Sequence, residues 1–216
     1  MLAHLFSCQG VRLTSKRGSS MKRFGLLLAS LFISSAAYAD DISLGVPGYG
    51  GSGCPSDSVS ATISPDGKAL SLLFDNYIVQ AGGDTGKNFD RKTCNVAIPV
   101  HVPQGRSVSV LAIDYRGFNQ LPRGARSQFN VEYFFAGTRG PAFVKTFNGP
   151  NEKDYLISNK LVADSLIWSA CGEDVNLRTN SSIRVNTTRG QEAMATVDTQ
   201  DVKAAIVYQL QWKTCR

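Results

Sequence analysis

Cys94–Phe118 reads CNVAIPVHVPQGRSVSVLAIDYRGF. Val96, Ile98, Val100 and Val102 alternate with Ala97, Pro99 and His101, so the valine-rich set falls on one face of an extended chain. After Pro103-Gln104-Gly105-Arg106, Val108, Val110 and Ala112 oppose Ser109, Leu111 and Ile113, which makes both faces of that second run at least partly buried. Period-two alternation on either side of a Pro/Gly turn predicts a β-hairpin. A cysteine opens it, and the charged stretch Asp114-Tyr115-Arg116-Gly117 reads as the turn that closes it.

Working outward, the chain begins with a segment that is not part of the fold. Met21-Lys22-Arg23 precedes the apolar run 24–33, and Ser34-Ser35-Ala36-Ala37-Tyr38-Ala39 follows. A basic start, a short apolar core and an Ala-x-Ala end are the parts of a secretory signal peptide. Residues 1–20 therefore read as an upstream extension, 21–39 as the signal peptide and 40–216 as one exported domain. The apolar run is too short for a membrane span, and no cysteine follows Ala39 to carry a lipid. The location expected is extracellular, or periplasmic in a Gram-negative cell.

Export changes two other readings. Of the 23 Lys and Arg residues, five lie in 1–39 and none of the 17 acids does, so 18 bases face 17 acids in the rest and the formal charge falls from +6 to +1. A nucleic-acid partner thereby loses its electrostatic support. Cys8 leaves with the leader, and Cys54, Cys94, Cys171 and Cys215 remain. An even count in an exported chain points to disulfides. Four cysteines allow three pairings, of which Cys54–Cys94 and Cys171–Cys215 join the nearest regions. Zinc would normally want a Cys-x-x-Cys pair, which is absent.

Strand patterns recur through the exported part. Val59, Ala61 and Ile63, the turn Ser64-Pro65-Asp66-Gly67, and then Leu70, Leu72 and Phe74 form a hairpin. Residues 45–54 are a glycine-rich lead-in, where Tyr49 could stack on a ligand approached by bare backbone; residues 75–93 read as a loop. Phe129, Val131, Tyr133 and Phe135 share the core face of an aromatic strand, and Phe134 stands out on its polar face. Residues 142–147, 165–171, 182–188, 193–198 and 204–213 read as further strands, whereas 151–164 could carry a short helix. Trp168 and Trp212 each stand three residues before a cysteine, which favours a Cys171–Cys215 bridge. About ten short strands, roughly 8–15 residues apart, predict an all-β antiparallel sandwich, jelly-roll or immunoglobulin-like.

The residues offer several chemistries. Asp75, Asp84 and Asp90 could supply carboxylates to calcium, although their spacing fits no EF-hand loop. His101, the one histidine of 40–216, has no serine or cysteine nucleophile beside it in the chain. Asp114, Glu132, Asp164, Glu173 and Asp174 could be paired for hydrolysis, but no spacing selects a pair. Arg116, Arg123, Arg126 and Arg139, with Tyr115, Phe118 and Phe134, are the richest set: arginine forks onto carboxylate or sulfate, and aromatics stack on sugar rings.

Six motifs then fall in order: Gly53-Cys54-Pro55; Arg91-Lys92-Thr93-Cys94-Asn95; Pro103-Gln104-Gly105; Asp114-Tyr115-Arg116-Gly117; Ala170-Cys171-Gly172; and Trp212-Lys213-Thr214-Cys215. The series resembles the small secreted four-cysteine proteins grouped as domain-of-unknown-function family 4360, from fungi and bacteria. That resemblance covers essentially the whole exported part and implies secretion, one domain and intact cysteines. It transfers no catalytic residue. The leader before Met21 is the one departure. The function expected is a non-enzymatic binding module for a cell-surface or matrix polysaccharide or other anionic component. A polysaccharide or ester hydrolase is the first alternative, and a structural protein or protein inhibitor the second.

Overall fold

Val96, Ile98 and Val100 share one core with Val108 and Val110, but from different sheets rather than along a hairpin ladder. The structure, a computed structural model, describes residues 43–160, 166–188, 190–197 and 206–215. The readings of 1–20 and 21–39 lie outside them.

Thirteen strands occur among the described residues: β1 (Ser43–Leu44), β2 (Gly48–Gly50), β3 (Val59–Ile63), β4 (Ala69–Phe74), β5 (Ile78–Ala81), β6 (Phe89–His101), β7 (Arg106–Leu121), β8 (Arg126–Phe135), β9 (Ala142–Asn148), β10 (Asn151–Lys160), β11 (Val175–Asn186), β12 (Ala193–Thr196) and β13 (Ile206–Thr214). All pairings between them are antiparallel. One sheet runs β1-β6-β11-β8-β9 with β2 also on β6; the other runs β3-β4-β13-β7-β12-β5 with β10 also on β7. This is the all-β sandwich the alternation predicts, closed by both expected bridges, Cys54–Cys94 and Cys171–Cys215.

The predicted hairpin is a β-arch. Residues 102–105 carry the chain from β6 in the first sheet to β7 in the second. A hairpin would need each strand to give the other one edge, yet β6 is paired by β11 and by β1 and β2, and β7 by β13 and β10. Alternation cannot separate the two cases, because arch and hairpin bury the same residues. The apex is held from outside the turn: Cys215 N–H donates to the Gly105 carbonyl (2.9 Å) and Gly172 N–H to that of Arg106 (2.8 Å). The second disulfide therefore clamps the arch.

Nor is Asp114–Gly117 a turn. The register of β7 against β13 slips between Gln209 and Leu210, which face Ala112 and Val110 and leave Leu111 as the extra residue of a bulge. Past it the inward face changes from Val108 and Val110 to Ile113, Tyr115 and Gly117, and the strand continues to Leu121. Gly117 serves close approach: a Cβ there would lie 2.2 Å from the Thr196 carbonyl oxygen and 2.3 Å from the Tyr155 hydroxyl. That hydroxyl donates to the same carbonyl at 2.7 Å.

Three other readings change. Residues 151–160 are strand β10 rather than helix, because Tyr155 turns inward while Leu156 is exposed, a period of two. The loop read at 75–93 contains β5 and the start of β6. Residues 166–170 form a single bridge, Ser109 to Trp168, in place of a strand. Neither tryptophan is fully buried: Trp168 lies under the Lys213 ammonium (4.2 Å), and Trp212 donates to the Gly67 carbonyl (3.1 Å).

The core is rich in tyrosine. Tyr115 packs between Phe129 and Phe143, with ring centroids 5.3 and 5.6 Å away. Tyr77 shares a hydrogen bond with Ser181 (3.0 Å), whose hydroxyl donates to the Cys94 carbonyl. Tyr208 bonds Thr179, whereas the buried hydroxyls of Tyr115 and Tyr133 have no partner among the described residues. Loss of hydration raises the pKa of Tyr77, Tyr115, Tyr155 and Tyr208, and pushes that of Tyr133 up to about 12.

A phenol whose folded pKa is raised contributes stability in full below its unfolded pKa of about 10, and loses it as pH climbs toward the folded value. Each such group should therefore cost about 1.4 kcal/mol per pH unit above pH ~10. In an alkaline titration, phenolate absorbance of these tyrosines should rise together with loss of the far-UV β signal. Ionisation near pH ~10 with the sheet intact would contradict their burial.

Candidate binding face

On β11, every second residue from Asn176 to Asn186 points away from the core: Asn176, Arg178, Asn180, Ser182, Arg184 and Asn186 alternate with Leu177, Thr179, Ser181, Ile183 and Val185. Antiparallel register sets directly paired residues on the same face. Asn180 lies between Asn95 of β6 and Glu132 of β8, Ser182 between Thr93 and Asn130, and Arg184 between Arg91 and Gln128. Beyond β8, Ala142, Val144 and Thr146 of β9 continue these rows. The outer face of the six-stranded sheet is thus a grid of short amides and hydroxyls, with arginines set among them.

The face is furrowed. One open groove is lined by Arg91, Thr93, Asn95, Asn130, Glu132 and Asn180 among others. A second shares Asn95 and Asn180 with it and extends over β2. There Gly48 and Gly50 pair with Ala97 and Asn95, and a Cβ on either would meet nothing within 4 Å. The glycines leave a shelf of bare backbone that the packing of the fold does not require. Tyr49 between them leans into the core, partly buried, rather than standing clear to stack. At the far end of β6, Phe89 is 46 % exposed and pairs with Asn186, which in turn pairs with Arg126.

The residues singled out in the sequence divide between opposite sides. Arg126 and Phe134 project on this face, at one end of β8 and near the other. Arg126 donates to the Asn148 side chain at 3.0 Å. Phe134 is half-buried, with the Gly140 turn of its own hairpin against it, so the neighbour it meets is its own chain. Arg116 and Phe118 lie on the outer face of the other sheet, opposite Leu156 and Asp154 of β10. Arg123 and Arg139 are exposed in turns. Tyr115 is fully buried and leaves the ligand set, because the bulge at Leu111 turns it inward.

The calcium trio is not gathered: among the described residues no three His, Cys, Asp or Glu side chains group as a metal site. The Asp90 carboxylate instead accepts the Gln80 and Arg91 backbone N–H groups, at 3.0 and 2.9 Å. Of the candidate acids, Asp114 is engaged by Ser158 and Gln209 on the far sheet, away from Glu132, and Asp164 is outside the described residues. Asp174 holds His101 Nδ1 at 2.8 Å and also accepts the Val102 N–H. Ser43 of β1 is in register directly across from His101. That neighbour comes from a two-residue strand the sequence pattern did not show.

Residues 40–215 match the family described as Domain of unknown function (DUF4360). An "Uncharacterized secreted protein" of Arthroderma benhamiae (strain ATCC MYA-4681 / CBS 112371) is 33 % identical over 169 residues, 77 % of this chain and 69 % of that protein. Similarity to a secreted relative agrees with the two disulfides, which persist in oxidising compartments. No helix among the described residues is long and apolar enough to cross a membrane.

Proposed function

We propose that this chain, which belongs to the DUF4360 family, is a secreted module that binds an extended polysaccharide on the outer face of its six-stranded sheet. One observation carries the reading: a furrowed sheet face whose floor is Asn95, Asn130, Asn180, Thr93 and Ser182, running onto the open Gly48–Gly50 shelf. Sugar hydroxyls both donate and accept, and side-chain amides and hydroxyls match them in both roles. These side chains are short, so fixing them against a ligand costs less conformational entropy than fixing Lys or Glu. Strands about 4.8 Å apart repeat that chemistry across the face, which suits a repeating chain better than a compact ligand.

The test uses the oxidised, secreted protein on a polysaccharide panel. Asn130→Ala with Asn180→Ala removes two sets of hydrogen bonds worth about 1 kcal/mol each, and should weaken binding on the order of tenfold or more. Gly48→Val with Gly50→Val should block the shelf while leaving Tm unchanged or higher, since β-branched residues favour strands. Undiminished affinity in both variants would move the site elsewhere.

Hydrolysis has one specific observation behind it, the Asp174–His101 pair with Ser43 in register opposite. Such a set acts on esters rather than glycosidic bonds; if an acylated polysaccharide loses its ester groups, and Ser43→Ala stops that loss without affecting binding, the binding face serves an esterase.

A further inference from the structure

The arginines of this face carry a deeper assignment, which rests on the binding reading above. Arg91 and Arg184 are directly opposite each other in the β6·β11 register, both exposed and both on the outer face. Like charges in that position oppose sheet formation, and neither side chain makes an ion pair among the described residues. Arg178 stands six residues along β11, on the same face, also without an ion pair among them. With Arg126 the face presents four guanidinium groups, and Glu132 is the one carboxylate on the outward positions of β6, β8, β9 and β11. Residues 40–216 as a whole are almost neutral in formal charge, so this face concentrates positive charge the rest of the domain does not share.

We infer that the polysaccharide is acidic and carries ring carboxylates: the Arg91–Arg184 pair holds one carboxylate, Arg178 holds another, and the amide grid between them holds the intervening sugars. Six residues of strand span about 20 Å, so the two basic poles are several sugar units apart, with a floor of amides, hydroxyls and the Glu132 carboxylate between. Planar carboxylates accept two parallel N–H bonds from one guanidinium. Cations this sparse suit a chain with no more than one charge per ring, its carboxylates between the poles accepting from the amide N–H groups of the floor, whereas a heavily sulfated chain would call for a dense basic cluster. A bound carboxylate would also relieve the repulsion that the pair imposes on the empty sheet.

Polygalacturonate, the same polymer fully methyl-esterified, and dextran sulfate distinguish the outcomes. The secreted protein should bind polygalacturonate at least tenfold more tightly than its ester, and more weakly as salt is raised from low to physiological strength. Arg91→Gln with Arg184→Gln should cut that preference about threefold or more, leaving the share held by Arg178, and should leave Tm unchanged or higher as the repulsion disappears. Equal affinity for acid and ester, or an undiminished preference in the double variant, would overturn the acidic assignment while leaving the binding face in place. Preference for dextran sulfate would overturn the carboxylate assignment. Binding to none of the three, nor to any neutral polymer in the panel, would overturn the underlying reading itself.

Discussion

Replacing Cys171 and Cys215 together by alanine is expected to cost about 4 kcal/mol and lower Tm by roughly 8–16 °C. The bridge closes a separation of 44 residues, which sets the entropy it removes from the unfolded chain. Its position gives a further reason for a large effect. Cys215 and Gly172 each donate a backbone N–H to the β6–β7 arch, at Gly105 and Arg106, and an arch lacks the cross-strand ladder that would hold a hairpin. Thermal melting of the double variant beside Cys54→Ala/Cys94→Ala checks this, because the Cys54–Cys94 separation of 40 predicts nearly the same entropic effect. An excess loss at Cys171–Cys215 would measure the clamp, and an unchanged Tm would show that core packing alone holds the arch.

Tyr115→Ala is expected to destabilise by about 3–5 kcal/mol, the range for deleting a large aromatic from a packed core. Its ring lies between those of Phe129 and Phe143, and none of the residue is exposed. Tyr115→Phe separates ring from hydroxyl. That hydroxyl is buried without a partner among the described residues, so removing it should be neutral or stabilising by about 1–3 kcal/mol. Urea denaturation of both variants decides between a core residue and a surface ligand. A surface role would leave Tyr115→Ala with native stability and impaired binding.

The Cys171–Cys215 bridge and Tyr115 also mark how far local pattern reaches. Alternation identified β3, β4, β6 to β9, β12 and β13 because burial on one side is written into every second residue. It identified the inward set of β8 outright, and the cysteine spacing pointed to both bridges. At Tyr115 it failed for a definable reason: one unpaired residue, Leu111, reverses the phase of everything after it. Charged residues around Tyr115 then resembled a turn, when Asp114 and Arg116 are the outward positions of a strand whose inward ones are Tyr115 and Gly117.

For the binding face, the chain pointed to a strand only from Ser182, because Arg178-Thr179-Asn180-Ser181-Ser182 is polar throughout and hides the alternation, whereas β11 begins at Val175. What that strand faces was not legible at all. Arg91 and Arg184 are 93 positions apart, and Asn95, Asn180 and Glu132 come from three strands. Their meeting depends on strand order and register, which arise from contacts between distant segments.

The sequence by itself determined the β class, the inward residues of most strands and, for the four cysteines of an exported chain, a preference among three pairings, since each follows from short-range periodicity or composition. The tertiary structure alone decided that β6 and β7 part into different sheets, that Tyr115 is core, and that arginines and amides gather on one face. The reason is common to all three. Burial tells a strand which side faces inward, whereas its partner is chosen by which distant edge is free to complete its hydrogen bonds.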